Sequence, residues 1–262
     1  MDFGMPTLVE HCNLEKDAAL CNHLGLKFVE INMSFPMFQL KKLSQIQIME
    51  SLASKHNIYY TIHLDENMDL FSFNPAVRKA HLQTLLQVIE ISKALQIPTL
   101  NMHLNPGVYI TLPEKRVYLL EACWSEYEKQ LTELSEACTD AIGNAPIRIC
   151  IENTEGFAPF QKQAICQLLQ SPVFALTWDI GHSYTTDNRD EPFLLEHQSS
   201  LKHFHIHDAN ITQCHLPLGA GDIDLTQRLS LAERCGARCV LETKTTQALT
   251  DSVTWIHENT SF

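Results

Sequence analysis

The chain is expected to fold as an α/β protein, a single (β/α)8 barrel over residues 1–262, on three observations. Short apolar runs alternate with longer amphipathic stretches from end to end. About eight such βα units fit 262 residues, a usual length for this barrel and a large one for most other single domains. No Pro/Gly/Ser-rich linker or charge run divides the chain. A doubly wound sheet would be expected to carry G-x-G-x-x-G or G-x-x-x-x-G-K, and neither occurs.

The elements follow in order. Residues 2–8 read as a first strand, weakened by Gly4 and Pro6. A helix over 14–24 is closed by Gly25, a residue suited to the left-handed position past a helix end. The run 26–32 is a second strand, 40–55 a helix and 58–63 a third strand. Asn74-Pro75 reads as a cap with proline at the first helical position, and Leu82, Leu85, Leu86 and Ile89 hold the spacing of one helix face. Residues 99–103 form a fourth strand and Pro106-Gly107 a turn. Pro113 is expected to open the longest helix, striped by Leu120, Cys123, Tyr127, Leu131, Leu134 and Cys138. The second half repeats the alternation, with strands at 147–152, 173–179, 201–207 and 237–242. Helices are expected over 160–169, 191–197, 225–235 and 248–257. Most of the strands are near-continuous apolar runs, as strands covered on both faces should be.

The chain carries 19 Lys and Arg against 31 Asp and Glu, a net charge of -12. That balance argues against a nucleic-acid partner, which calls for a broad basic surface. No run approaches 18 uncharged apolar residues, so no membrane span is expected. The first 20 residues include Asp2, Glu10, Glu15 and Asp17 and do not read as a signal peptide. Nine cysteines without a C-x-x-C read as reduced, mostly buried thiols of a cytoplasmic protein.

In such a barrel the chemistry gathers at the C-terminal ends of the strands. Here those ends carry Glu30, His63, His103, Glu152, Asp179 with His182, His205 with His207, and Glu242. Carboxylates and imidazoles without a thiolate cluster suit a divalent ion: Mn, Mg, Co, Zn or Fe. Carboxylates brought this close would repel one another unless a cation neutralised them. A metal gripping a carbonyl and a hydroxyl acidifies the adjacent C–H, and a carboxylate beside that carbon then serves as the base.

Several motifs occur in one order: Ile151-Glu152-Asn153-Thr154-Glu155-Gly156, Trp178-Asp179-Ile180-Gly181-His182, His205-Ile206-His207-Asp208, His215 through Gly219-Ala220-Gly221-Asp222, and Leu241-Glu242-Thr243. The ordered set resembles the xylose-isomerase-like TIM-barrel superfamily, which includes sugar phosphate isomerases and epimerases, inosose dehydratases and the endonuclease IV branch. The resemblance implies a metal site of Glu152, Asp179, His205 and Glu242. It implies too that Glu152 and Glu242 are the catalytic pair, one removing a proton α to a carbonyl and the other returning it. His205 is preferred over His207 as the ligand because the family pattern is His-x-x-Asp, matched by His205 and Asp208. The endonuclease branch would add a site of His63, His103 and Glu152, and a third of His182, His215 and an aspartate. Gln213 stands where that aspartate belongs, so His182 and His215 become candidates for substrate contact.

The implied activity is a metal-dependent isomerase, epimerase or related dehydratase acting on a small sugar or sugar-phosphate-like compound. The alternative is a zinc phosphodiesterase or abasic-site endonuclease; a third reading is a binding barrel with a degenerate site. Glu30, His207 and Lys244 are weaker site candidates, Lys244 as a contact for an anionic substrate. His203 and His207 are expected to be interior groups behind the ligands. His11, His23, His56, His81, His197 and His257 are expected at the surface, and Gly219-Ala220-Gly221 is expected to be a turn whose N–H groups could hold an anion. Substrate choice is expected to reside in loops 32–39, 65–73 and 106–111. A homo-oligomer is compatible with this reading.

Overall fold

The computed structural model describes residues 1–260. Ten strands are formed among them: β1 (Phe3–Pro6), β2 (Phe28–Asn32), β3 (Tyr59–His63), β4 (Thr99–His103), β5 (Tyr109–Thr111), β6 (Arg116–Tyr118), β7 (Arg148–Glu152), β8 (Phe174–Asp179), β9 (Leu201–Ile206) and β10 (Arg238–Leu241). Eight of these close into a parallel barrel in the order β1-β10-β9-β8-β7-β4-β3-β2. The closing seam pairs Phe3 with Cys239 and Gly4 with Val240. A side chain at Gly4 would meet the Phe28 ring at 2.4 Å, so glycine is what admits that ring beside the weak first strand. The helices, with their buried stripes, wrap the barrel and complete the (β/α)8 architecture.

Successive side chains of a strand point to opposite faces, so residues two apart share the interior. This parity lines the barrel with Thr61 and His63, Asn101 and His103, Cys150 and Glu152, Thr177 and Asp179, and His203 and His205. Between β8 and β9 the register slips at Leu176/Thr177, so that Thr177 faces His203 and Asp179 faces His205. The skipped residue, Lys202, would otherwise take a place in the interior row.

The expected elements recur with three departures, of which one is an unexpected short helix, Ile180–Thr185, directly after β8. Pro113 does not open a helix. It lies between β5 and β6, an antiparallel hairpin in which Leu112 N–H donates to Lys115 O at 2.8 Å. The long helix begins only at Trp124 (Trp124–Ile142), after a short turn Leu119–Ala122, which leaves Cys123 exposed while the rest of the stripe stays buried. The stretch 40–55 is two helices, Leu40–Leu43 and Ile46–His56, broken at Ser44-Gln45.

All nine cysteines are free thiols; Cys21, Cys138, Cys150 and Cys239 are buried, and Cys12, Cys123 and Cys166 are exposed. Among the described residues no helix is long and apolar enough to cross a membrane.

Candidate metal centre and its cavity

Glu152 ends β7, Asp179 ends β8, His205 lies on β9, and Glu242 follows β10 with its N–H still donating to Ile206 O at 2.9 Å. One ligand atom from each lies within 4.8 Å of the others. The centre of the group is a single nitrogen, His205 Nδ1. It stands 3.2 Å from Glu152 Oε1, 3.1 Å from Glu242 Oε2 and 3.8 Å from Asp179 Oδ2. One imidazole nitrogen carries at most one hydrogen, so it cannot satisfy three acids. Glu242 Oε2 is accordingly buried without a hydrogen bond. Despite burial, the neighbouring imidazoles hold Glu152 well below the usual carboxylate range, and His205 with Lys244 does the same for Glu242. Burial opposes charge on His205, but Glu152, Glu242 and Glu30 push its pKa well above the ordinary histidine value. Three carboxylates around one imidazole nitrogen are a donor set that fits a divalent cation.

Glu30 finds its place underneath. Its Oε1 accepts from His205 Nε2 at 2.8 Å, and its Oε2 accepts from His203 Nε2 at 2.8 Å and Thr61 Oγ1 at 3.0 Å. With Nε2–H committed to Glu30, a neutral His205 turns the lone pair of Nδ1 toward the carboxylates. His203 is fully buried and stays behind the ligands.

His63 and His103 face the other oxygen of Glu152, each with Nε2 at 3.3 Å from Oε2. His63 Nδ1 donates to Leu64 O at 2.8 Å, which leaves Nε2 as the free nitrogen. Burial alone would lower its pKa, but the Glu152 carboxylate pushes it up to about 9. Asn101 Nδ2 also donates to Oε2, and Thr177 Oγ1 holds the Asn101 amide in place. Glu152 therefore shows one oxygen to each of two potential metal-holding groups.

His182, His207 and His215 also come together, but their rings are poorly aimed for one ion. The His207 and His215 rings stack at 4.2 Å with planes 15° apart, so their in-plane lone pairs run side by side instead of meeting. Both nitrogens of His207 are engaged as well. Nδ1 accepts the His215 backbone N–H at 2.8 Å, and Nε2 donates to Asp179 Oδ1 at 3.0 Å. His215 itself sits at φ +57, in the left-handed region. His207 thus acts through Asp179. His215 stays neutral, its pKa lowered to about 4 by burial and by His207. Gln213 is exposed and does not line this group.

The cavity above these residues encloses about 830 Å³. His63, His103, Glu152, His182, His215, Glu242 and Lys244 all line it. So do Glu66, Asn67 and Pro106 from the second and third expected specificity loops, but no residue of 32–39 does. Lys244 Nζ is paired with Glu242 Oε1 at 2.7 Å. The Gly219-Ala220-Gly221 turn does not hold an external anion. Its N–H groups at Gly219 and Gly221 donate to Asp208 Oδ2 at 3.0 and 2.9 Å, while Ala209 and Ile223 N–H take Oδ1. Asp208 is thus the anion of its own loop. Of the histidines expected at the surface, His23 and His257 are exposed, whereas His11, His56, His81 and His197 are half-buried, and His11 Nδ1 lies 2.7 Å from the buried Asp17.

A family model described as xylose isomerase-like TIM barrel matches residues 18–259. The chain belongs to the xylose isomerase-like TIM-barrel family. A relative within reach by sequence is an uncharacterised protein of Methanocaldococcus jannaschii, 25% identical over 207 residues, covering 73% of this chain and 66% of that one. The match therefore spans just under two thirds of the relative's length. Among solved structures, a D-tagatose 3-epimerase-like protein superposes with a TM-score of 0.75 at 23% identity, over 98% of this chain and 96% of that one. The IOLI protein with a bound zinc atom superposes with a TM-score of 0.72 at 14% identity, over the full length of both. At these identities the likeness to solved structures is one of fold.

In this xylose isomerase-like barrel some neighbours of the site escaped the sequence. Asn153 accepts the Asp179 N–H at 2.9 Å, and Asp190 accepts Phe157 N–H with both oxygens, at 3.1 and 2.9 Å. Both are buried polar residues, Asn153 directly after β7 and Asp190 just before the helix Glu191–Glu196, and only Asn153 sat inside a quoted motif. Arg189 also lines the cavity, from a loop without any motif.

Proposed function

We propose that this chain is a divalent-metal-dependent isomerase or epimerase of a small polyhydroxy carbonyl compound. The observation that carries this reading is the convergence of Glu152 and Glu242, at 3.2 and 3.1 Å, on one nitrogen of His205. Glu152, Asp179, His205 and Glu242 would hold the metal. When bound, such an ion grips the carbonyl and hydroxyl oxygens of the substrate and makes the neighbouring C–H acidic.

The chain's own groups do the rest. One of Glu152 and Glu242 removes the proton α to the carbonyl from one face, and the other delivers a proton to the opposite face of the same carbon. Glu30 and His207 hold His205 and Asp179 in place from behind, so that neither ligand needs to reorganise. His182 and the neutral His215 offer hydrogen bonds to substrate hydroxyls. The reading is further supported by the net charge of -12 and by fold neighbours that include a D-tagatose 3-epimerase-like protein. Nine free thiols suit a cytoplasmic setting.

The second reading, a zinc phosphodiesterase, is favoured by one observation: His63 and His103 share the outer oxygen of Glu152. Metal analysis with solvent exchange separates the two. An isomerase should hold about one Mn, Co, Mg or Zn ion per chain and wash deuterium from solvent into the α position of a ketose or inosose. Glu152→Gln should abolish that exchange. Two or three tightly held zinc ions with nicking of abasic DNA would replace the first reading by the second.

A further inference from the structure

The cavity is lined by acids and imidazoles and by two permanent cations, Lys244 and Arg189. They differ in how they are engaged. Lys244 is neutralised by Glu242 at 2.7 Å. Arg189 forms no ion pair with any carboxylate among the described residues, including Glu66 and Glu155 of the same cavity.

Arg189 is exposed, but its side chain is tethered. Its Nε–H donates to Thr186 O at 3.1 Å and its Nη2 donates to Glu155 O at 3.1 Å. These donors form one side edge of the guanidinium, and they are tied to two different loops, those following β7 and β8. The plate lies over Gly156, at φ +92, where a Cβ would come within 3.3 Å of Nη2. Asp190, next in sequence, is buried and pinned by Phe157 N–H and by Lys162 Nζ at 3.1 Å.

What remains unengaged is the outer fork, Nη1 and the second hydrogen of Nη2. Two parallel N–H groups on a rigid plate match two oxygens of one oxyanion. The ordering cost is already met by the backbone carbonyls, so little side-chain entropy is left to lose on binding.

We propose that Arg189 is the anion subsite of this cavity and takes the phosphate-ester end of the substrate while its carbonyl end lies at Glu152 and Glu242. The proposal rests on the isomerase reading for the small-sugar part of the ligand; the anion subsite itself does not need it. The substrate class is then a sugar phosphate, not a free sugar.

The test begins with inorganic phosphate as probe, titrated calorimetrically into the metal-loaded protein and its Arg189→Gln and Arg189→Lys variants. Arg189→Gln should weaken phosphate at least tenfold. Arg189→Lys should fall between, because it keeps the charge and loses the fork. Phosphate affinity unchanged in Arg189→Gln, or no saturable phosphate binding at all, overturns the subsite. If Arg189→Gln does not fold, phenylglyoxal labelling of the wild-type protein decides: phosphate must protect Arg189, and labelling unaffected by phosphate refutes the proposal.

A panel of free and phosphorylated ketoses then tests the substrate class. The preference for the phosphorylated member, in kcat/KM, should drop at least tenfold in Arg189→Gln. An equal preference in both proteins overturns it. Abasic DNA that displaces phosphate from Arg189 would transfer the subsite to the phosphodiesterase reading. Arg189-dependent phosphate binding in a chain that exchanges no α proton would sink the isomerase reading and leave the subsite standing.

Discussion

Replacing Gly181 by alanine tests how tightly the histidines behind the candidate metal centre are packed. A Cβ on Gly181 would stand 1.9 Å from His207 Cε1 and 2.3 Å from Nδ1. The ring would have to retreat by about 1.5 Å to reach ordinary contact. It has nowhere to go without loss, being fully buried, stacked on His215, bonded to Asp179 at 3.0 Å and capped by the His215 N–H at 2.8 Å. Overpacking of this kind costs about 1–3 kcal/mol. Loss of the bond to the Asp179 carboxylate adds about 1.5–3 kcal/mol. The better helix propensity of alanine returns about 1 kcal/mol, since Gly181 lies in the helix Ile180–Thr185. The expected net destabilisation is about 2–5 kcal/mol, or a Tm lowered by about 5–15 °C. Urea denaturation of the metal-free protein, followed by Co²⁺ titration, measures both consequences, and metal binding should weaken along with stability. A Gly181→Ala protein as stable as the wild type, with the same metal affinity, would refute the claim that His207 holds Asp179.

Two further outcomes follow from groups away from the cavity surface. Glu30→Gln offers one acceptor oxygen where two imidazole N–H groups need one each, so His205 or His203 loses its partner. Its Co²⁺ affinity should fall by about 10–100-fold in a titration, and an unchanged value would remove Glu30 from the site's support. Asp17 is buried, and its carboxyl is pushed up to about 6 mainly by that burial, with His11 pulling against it. The folded chain therefore holds this proton more tightly than the unfolded one, so the stability it contributes is complete below about pH 4 and is lost as pH rises through about 6. Asp17→Asn should gain on the wild type by up to about 3 kcal/mol across that interval in urea melts, and a pH-independent difference between the two would count against it.

The barrel was legible because its strands, covered on both faces, are written as apolar runs, and because their last inward residues are acids and imidazoles. Among those strand ends, it was the motifs resembling the xylose-isomerase-like superfamily that singled out Glu152, Asp179, His205 and Glu242 as a group, and the resemblance to its endonuclease branch that set His63 and His103 beside Glu152. Other features are written in tertiary contact alone. That His207 would stack on His215 depends on a loop doubling back and on the absence of a side chain at Gly181. The engagement of Arg189 depends on a carbonyl 34 residues away. Pro113 was misread because the apolar stripe downstream is genuinely helical, and a hairpin of two three-residue strands without an Asn-Gly or Asp-Gly turn leaves little trace in periodicity. Asp208 was read as half of a motif, although its function is to bind the N–H groups of the next turn.

The β5–β6 hairpin carries a consequence of its own. Its strands pair only with each other, and Val108, Tyr109, Ile110 and Leu112 are exposed, whereas Tyr118 at its base reaches the cavity wall. The barrel ladder runs directly from β4 to β7 beneath it. Length and composition in this segment can therefore drift, or be exchanged between homologues, without any barrel hydrogen bond being renegotiated. For engineering it is a graft point that touches the cavity while leaving the barrel positions of Glu152, Asp179 and His205 untouched.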